Sequence, residues 1–433
     1  MTPMHIREIL SAPVRLGPLR TANRMVMGPM AANAPDVDGG PSEQTAAFFE
    51  ARARGGVGLI IVGGAIASAR GLAEAPFRPL LRFDIDDPVP RFRALADRVH
   101  AHGVPIIAEL MPGFGRMGVP APDRPLISAS PMNVVIRRDR FPQGIHVPAD
   151  RATPMPREAS IAEIRDYEDA MIAASVRVEK SGWDGVEVAA HMSYFLASFL
   201  SPRTNWRMDE YGGSEENRAR MLVRIVAGIR RKTGPGFAVG LRITANDLMP
   251  DGQGTEAFAS LARHVAAAGL DYVALSTGCY ESMDGSTPAV DGGQIDSGDA
   301  AIFRKMLDIP IMVQGLHAPA RAAQAIAQGH GDLVMLARPL LADPDYAAKV
   351  AAGRPETITA CNRDNLCIRR MVMGMPVRCA VNPAMGRESR ATGTLPPLAR
   401  LVKRPLEECA LGLAGSSPFI NLMGAMMNRS GRS

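Results

Sequence analysis

Short apolar runs alternate along this chain with longer segments in which apolar residues recur every three or four positions. This order is the one expected of parallel strands joined by crossover helices. Because eight such units in a row favour a closed barrel over an open sheet, we predict an α/β fold, a (β/α)8 TIM barrel with a short C-terminal cysteine-bearing extension. The predicted strands cover residues 25–27, 59–63, 105–110, 185–188, 238–243, 272–276, 309–313 and 333–336.

The sequence also indicates a helix start and a long loop. Ser160 is followed three residues later by Glu163, the pattern of a capping box, which predicts a helix that runs towards Ser181. The proline-rich stretch 117–159 follows the third predicted strand. Enzymes built on this barrel carry the segments that cover their substrate at that end. We therefore predict that residues 117–159 form a loop at the mouth of the barrel.

Beyond about residue 350 the alternation ends. Residues 351–390 contain three of the five cysteines, Cys361, Cys367 and Cys379, and residues 391–433 have the composition of a proline-rich linker and a tail. In an intracellular protein such a cysteine cluster suggests metal or cluster ligation before disulfides. We predict three parts: a barrel over 1–350, a cysteine-bearing loop over 351–390, and a linker and tail over 391–433.

Composition excludes several classes of protein. Hydrophobic residues make up 46% and charged residues 21% of the 433 residues, as in an ordinary globular protein. The net charge of +5 is modest and the basic residues are not gathered in stripes, so we expect no nucleic-acid partner. The N-terminus lacks a secretory pattern, and no run of about 18 apolar residues occurs. We expect a cytoplasmic protein without a membrane partner.

Three motifs, taken together and in their order, resemble the Old Yellow Enzyme family of flavin oxidoreductases. They are NRMVMGPM at 23–30, SFLSPRTNWRMDEYGGSEENRARM at 198–221 and ARPLLADP at 337–344. The second motif is long and specific, although such a loop taken by itself would be read as scaffold. The resemblance implies FMN held non-covalently across the C-terminal mouth of the barrel, with NAD(P)H as the reductant.

Five residues are matched by the resemblance to the flavin ring. Arg242 corresponds to a cation that stabilises the anionic reduced ring, and a barrel-core ion pair is the alternative for this residue. Pro29, Met30 and Gly64 fall where the backbone of family members contacts the isoalloxazine. Glu109 stands where glutamine is common. A carboxylate there has to be protonated or reoriented to sit beside the ring carbonyls.

The flavin phosphate is expected at the far end of the same site. Gly315 and Arg338 fall after the seventh and eighth predicted strands, where barrels bind phosphate through backbone N–H groups and a cation. The family usually has glycine where this chain has Ala337, which would crowd the phosphate slightly.

The end of the fourth predicted strand carries the candidate catalytic residues. Many ene-reductases of the family hold the substrate carbonyl with a histidine pair or a His and an Asn, but the two positions here are Ala189 and Met192. Tyr194 corresponds to the tyrosine that 2,4-dienoyl-CoA reductases are thought to use as proton donor. The histidine which that branch carries after the sixth strand is missing from residues 277–281, so His191 is our candidate neighbour for Tyr194. Packing of the strand exit is the alternative for both.

The cysteine loop resembles the iron–sulfur loop that follows the barrel in dienoyl-CoA reductases and trimethylamine dehydrogenase. A [4Fe–4S] cluster normally takes four thiolates. Cys361, Cys367 and Cys379 match three of them, and the first position falls near Ile358, which cannot ligate iron. A cluster with one ligand missing and a structural remnant without iron both stay open.

The leading functional prediction is an FMN-dependent oxidoreductase that passes hydride from NAD(P)H to an activated alkene. The alternatives are an amine dehydrogenase or demethylase of the same family, which would favour an aromatic cation-accepting pocket, and a degenerate, non-catalytic flavin-binding barrel. Larger relatives continue into a FAD and NAD(P) domain, which we do not expect in the roughly 30 residues after Arg404. A small-molecule substrate is the expected partner. A separate electron-transfer protein and a second copy of the chain stay open as further partners.

Overall fold

The computed structural model describes residues 1–31, 34–76, 79–142, 144–145, 149–372 and 374–390. Eight parallel strands close into a barrel, and β8 completes the ring by pairing with β1. The strands are β1 Met25–Met27, β2 Leu59–Ile66, β3 Ile106–Met111, β4 Gly185–Ala190, β5 Ala238–Thr244, β6 Tyr272–Ser276, β7 Ile311–Gln314 and β8 Leu333–Leu336. The predicted (β/α)8 barrel is confirmed. The predicted linker and tail, 391–433, lie outside the described residues.

The predicted strand positions agree with the structure to within three residues at each end. Strands β1, β6 and β8 have the predicted bounds. Strand β2 continues to Ile66 instead of ending at Gly63, because the register with β3 shifts between Val62 and Ala65. This irregularity lets the strand pass two glycines and still pair at its carboxyl end.

Each barrel strand is followed by a helix that covers the outside of the sheet. These helices are α1 Glu43–Arg54, α2 Val89–His100, α3 Ile161–Lys180, α4 Glu215–Lys232, α5 Thr255–Ala266, α6 Asp299–Met306, α7 Pro319–Ala327 and α8 Tyr346–Ala351. The predicted capping box of α3 is confirmed: Ser160 Oγ accepts from the Glu163 N–H, and the Glu163 carboxylate accepts from the Ser160 N–H. Helix α3 is followed by Ser181, as predicted. Among the described residues, each helix is too short or too polar to cross a bilayer.

One end of the barrel is filled and the other is open. The hairpin of Val14–Leu16 and Leu19–Thr21 covers the amino ends of the strands. Its Leu16 and Leu19 pack with inward side chains such as Tyr272 into one buried cluster. The carboxyl ends of the strands, where barrels place their active sites, are left to the loops.

The loop 117–159 is partly structured. Its described part contains two short pairings, Ile127–Ser128 with Arg157–Glu158 and Val135–Ile136 with Arg151–Ala152. Buried Arg207 donates from Nη1 to the carbonyls of Ala129 (3.1 Å) and Ala159 (2.7 Å). The long motif 198–221 therefore holds this loop against the barrel.

Candidate active site

A cavity of about 270 Å³ opens at the carboxyl ends of the strands. Residues predicted to bind the flavin ring and the flavin phosphate meet there from six of the strands, although they are spread over more than 300 positions of sequence. The seven residues that the resemblance matches to the flavin all line it: Pro29, Met30, Gly64, Glu109, Arg242, Gly315 and Arg338. His191, Tyr194, Ala189 and Met192 line the same cavity, and so does Cys367. The roles of these residues remain predictions.

Buried Glu109 and His191 and the mostly buried Arg242 form the wall at β3, β4 and β5. Arg242 Nη1 donates to Glu109 Oε1 at 3.3 Å, and its Nη2 donates to Gln314 Oε1 at 3.1 Å. His191 Nε2 lies 3.2 Å from the same Glu109 oxygen. Arg242 thus forms a barrel-core ion pair and also faces the cavity, so the two interpretations of this residue do not exclude each other.

The Glu109 side chain is bonded to His191 and Arg242, and its carboxyl group is ionised. Burial by itself would raise the pKa of Glu109, but the His191 hydrogen bond and the Arg242 charge outweigh it and lower the pKa. Burial, followed by the nearby Arg242, lowers the pKa of His191, so its imidazole is neutral and donates Nε2–H to the carboxylate. The carboxylate therefore bonds to His191 and Arg242 in the wall, and its contact with a flavin ring remains a prediction.

Sequence reasoning missed a second carboxyl group beneath this wall. Glu187 on β4 stands opposite Glu109 in the strand register and is fully buried. Burial, with the Glu109 charge next, raises the pKa of Glu187 to about 8. At neutral pH it is therefore mostly uncharged. A charged residue inside the apolar run GVEVAA was the available signal.

The predicted phosphate end combines an unusual backbone with a cation. Gly315 has φ of +83°, a conformation that L-residues rarely adopt. Arg338 Nη1 donates to Asn365 Oδ1 (2.9 Å) and its Nη2 donates to the Pro288 carbonyl (3.1 Å). Its partners are uncharged, and within the described ranges Arg338 forms no salt bridge. This end of the cavity keeps a net positive charge, as an anion site requires.

The extension contributes residues here that the sequence did not indicate. Arg363 forms a salt bridge with Asp291, whose carboxylate also accepts the N–H groups of His317 (2.9 Å) and Ala318 (2.8 Å) at the start of α7. Burial, then the Arg338 and Arg363 charges, lowers the pKa of His317 to about 3, so this histidine is neutral. The polar run Asn362–Asn365 was the available signal for these contacts.

The hydroxyl of Tyr194 has a different partner from the one expected. Its oxygen lies 2.7 Å from the Tyr280 hydroxyl oxygen, in the loop after β6. His191 instead bonds to Glu109, and its ring stands perpendicular to Tyr194 at a centroid distance of 5.8 Å. The structure thus places Tyr280, from the loop that lacks the histidine, at the Tyr194 hydroxyl in place of His191, and the catalytic roles of His191 and Tyr194 stay predictions.

The three cysteines of the extension are free thiols. Cys367, Cys379 and Ile358 pack against the hydrophobic core, and Cys367 also lines the cavity. Burial, then neighbouring Cys361, raises the pKa of Cys367 to about 12, and burial raises that of Cys379. In the part of the chain that the structure describes, no group of three or more His, Cys, Asp or Glu side chains is arranged to hold a metal ion.

The lining residues fit FMN on features of this structure. At the ring end, Arg242 Nε and His191 Nδ1 are buried without a hydrogen-bond partner among the described residues. At the other end, His317 Nδ1 is also buried without a hydrogen-bond partner among the described residues, and it lines the cavity with Gly315 and the cation Arg338. Unpaired buried polar atoms are costly, and a polar ring with an anionic arm would supply the missing partners.

One sequence family, described as the NADH:flavin oxidoreductase / NADH oxidase family, matches residues 10–357. The chain belongs to this family. The match takes in every residue predicted to contact the flavin and ends before Cys361, the first cysteine of the extension. Membership therefore supports the barrel and its mouth independently of the cysteine loop.

Individual relatives cover more of the chain. It is 32% identical over 382 residues to an NADH oxidase of Thermoanaerobacter brockii (86% of this chain, 56% of the relative). It is 30% identical over 405 residues to a cinnamate reductase of Clostridium sporogenes (88% and 58%). A solved 2-naphthoyl-CoA reductase has a TM-score of 0.79 and 28% identity (89% and 58%). An N,N-dimethylglycine/sarcosine dehydrogenase of Chromohalobacter salexigens is 29% identical (88% and 54%). The chain spans little more than half the length of these relatives.

Proposed function

We propose that this protein is an FMN-dependent oxidoreductase that passes hydride from NAD(P)H to an activated alkene, an enone or an enoyl thioester. The observation that carries the proposal is Tyr194, which lines the same cavity as the seven residues matched to the flavin. A protonated acid beside a hydride carrier is what reduction of a carbon–carbon double bond requires. The relatives named for cinnamate and 2-naphthoyl-CoA support the choice of an activated alkene.

Separate residues would hold the two ends of FMN. Arg338 and the backbone at Gly315 would bind the phosphate, while Arg242 and His191 would meet the ring with their unpaired nitrogens. When bound, FMN would supply a carrier that takes up hydride from NAD(P)H and gives it to a substrate carbon. Cys367, Ile368 and Met371 would exclude water at the wall formed by the extension.

Tyr194 would supply the proton for the second carbon. Burial, with Tyr280 next, raises the pKa of Tyr194 well above its ordinary value, so the hydroxyl keeps its proton at any physiological pH. A group in that state acts as an acid and not as a base.

Amine oxidation is the second candidate, and one observation favours it. Phe114, Tyr194 and Tyr280 meet edge to face in the cavity wall, with ring centroids 5.7 Å apart in both pairs. Such an aromatic corner accepts a small ammonium group. The dimethylglycine/sarcosine dehydrogenase among the relatives agrees with this reading.

Stopped-flow spectra of the FMN-loaded protein separate these functions. We expect NADPH or NADH to bleach the flavin bands without oxygen, and 2-cyclohexen-1-one or crotonyl-CoA to restore them. Bleaching by trimethylamine or N,N-dimethylglycine without NAD(P)H would establish the amine function instead. A flavin that responds to neither class would indicate a non-catalytic barrel. Iron and acid-labile sulfide, assayed on the same sample, decide whether a cluster is present.

A further inference from the structure

We propose that Tyr280 is a second catalytic residue and forms, with Tyr194, a hydroxyl pair that delivers the proton to the substrate. The inference rests on the proposed alkene reduction. Hydride addition to one carbon of the double bond leaves an electron pair on its neighbour. That pair takes the Tyr194 proton, so a C–H bond forms and the Tyr194 O–H bond breaks. Tyr280 donates a hydrogen bond to the resulting phenolate, and water entering the cavity restores the lost proton.

The geometry of the two hydroxyls carries this assignment. Their oxygens are 2.7 Å apart, and both side chains line the cavity. Neither hydroxyl has another hydrogen-bond partner among the described residues. The two hydroxyl groups carry two protons, and the hydrogen bond between them uses only one. The second proton is therefore available to a molecule in the cavity.

The buried surroundings keep both hydroxyl groups protonated and favour a hydrogen bond between them when one has lost its proton. Burial raises the pKa of Tyr280, as it does that of Tyr194. A buried phenolate formed by Tyr194 alone would lack solvation, and a hydrogen bond to a charged oxygen is about twice as strong as a neutral one. Once the pair has given up one proton, the remaining hydroxyl donates to the charged oxygen. The pair as a unit therefore stabilises that state more than the resting state, as catalysis requires.

A buried ion network holds Tyr280 in place. The adjacent Glu281 accepts two hydrogen bonds from Arg203 (2.9 and 3.0 Å) and one from Arg116 (3.2 Å). The Tyr280 N–H donates to Ser193 Oγ at 3.3 Å, which ties the loop after β6 to the exit of β4. We assign Glu281 and Arg203 as positioning residues, because they reach the chemistry only through the loop.

The pair has a pH signature that a histidine would not have. An imidazole in this loop would change its charge near pH 6.5, within the working range of most enzymes. The two phenols stay neutral there because burial raises both pKa values. We therefore expect the rate of flavin reoxidation by an alkene to show no inflection near pH 6.5.

The test uses FMN-loaded Tyr280→Phe and Tyr194→Phe, with Tyr211→Phe as the matched control. The Tyr211 hydroxyl is buried against Glu168 and lies outside the cavity. We expect reoxidation by 2-cyclohexen-1-one to slow about 100-fold in Tyr194→Phe and about 10- to 100-fold in Tyr280→Phe. The double variant should be little slower than Tyr194→Phe alone, because the residues act as a unit. Bleaching by NADPH and reoxidation by benzoquinone, which needs no carbon protonation, should stay within about threefold of wild type in all variants.

Other outcomes are equally decisive. Wild-type protein that benzoquinone reoxidises but no alkene does would reject the alkene function, and the pair with it. An active wild type matched within threefold by Tyr280→Phe would reject the pair alone. Tyr280→His covers the case in which the phenylalanine variant does not fold. It should keep activity and acquire a new limb near pH 6.5, and a flat profile in an active variant would overturn the assignment.

Discussion

The two ends of the cavity hold their arginines in opposite ways. Arg242 at the ring end is bonded to the carboxylate of Glu109, whereas Arg338 at the phosphate end is bonded to a carbonyl and a side-chain amide. The first arrangement sums to no net charge, because His191 is neutral, and the second keeps a full positive charge. An arginine can thus leave its end of the cavity without net charge or make it attractive to an anion, depending on the charge of its partners.

The ends also differ in how the chain builds them. The polar side chains Glu109, His191 and Arg242 at the predicted ring end lie on or directly after β3, β4 and β5, which are neighbours in the barrel, so strand register fixes their spacing. The phosphate end takes Pro288 from the segment after β6 and Asn365 from the extension. Arg363 and Asn365 both adopt left-handed backbone, with φ of 60° and 57°, to reach it. The barrel shapes one end, and the extension completes the other.

Arg338→Ala should have the largest effect, because it removes the cation of the predicted phosphate end. Charge-assisted hydrogen bonds to phosphate are worth about 1.5–3 kcal/mol, so we expect the Kd for FMN to rise by about 100-fold. The Kd for riboflavin, which has no phosphate, should stay within about twofold. Titration of the apoprotein with both flavins measures the difference. Arg137→Ala, at an exposed surface arginine, is the control, and an equal loss for both flavins would show that Arg338 does not read the phosphate.

Glu109→Gln tests the neutral end. The amide leaves the Arg242 charge uncompensated and so stabilises the anionic reduced ring. We expect the two-electron midpoint potential of bound FMN to rise by roughly 30–60 mV, measured at pH 7 by spectroelectrochemistry. Glu187→Gln is the matched control, because Glu187 is mostly protonated at that pH. A potential that falls or stays unchanged in Glu109→Gln would mean that the carboxylate does not offset Arg242.

Glu187→Gln should differ from wild type in flavin potential at higher pH. The pKa of Glu187 is raised to about 8, so the wild-type residue gains a negative charge as the pH rises through that value. That charge disfavours the anionic reduced ring, and the wild-type potential should drop below that of Glu187→Gln by roughly 10–20 mV between pH 7 and 9. Parallel potential–pH curves for the two proteins would contradict the raised pKa.

Arg363→Ala should have the smallest effect. It removes the salt bridge to Asp291 but leaves Arg338 with both of its own partners. A partly exposed ion pair contributes about 1 kcal/mol or less, so the Kd for FMN should rise by about two- to fivefold. A loss as large as that of Arg338→Ala would show that the extension itself forms the phosphate site.

The seven residues matched to the flavin came from the resemblance of three motifs, and the structure brings all of them to one cavity, while their contacts with a flavin remain predictions. For Gly315, a glycine shortly after a predicted strand also indicates backbone that other residues avoid. Sequence reasoning did not indicate Tyr280, which looks ordinary in its local segment, and it did not use the signals that the sequence carried for Glu187 and Asn365. For Tyr194, whose role as proton donor stays a prediction, the sequence suggested His191 as the neighbour. The structure places the Tyr280 hydroxyl beside Tyr194 and bonds His191 to Glu109.

The order and number of the strands and the capping box of α3 could be predicted from the sequence, because each depends on periodicity or spacing within a short stretch of chain. The family was indicated by the resemblance of three motifs and is shown by the match over residues 10–357. Only the tertiary structure decided that Arg242 pairs with Glu109 across 133 positions and Tyr194 with Tyr280 across 86. Charge states and hydrogen-bond partners depend on burial and on distances of about 3 Å between remote segments, which exist only once the barrel has closed.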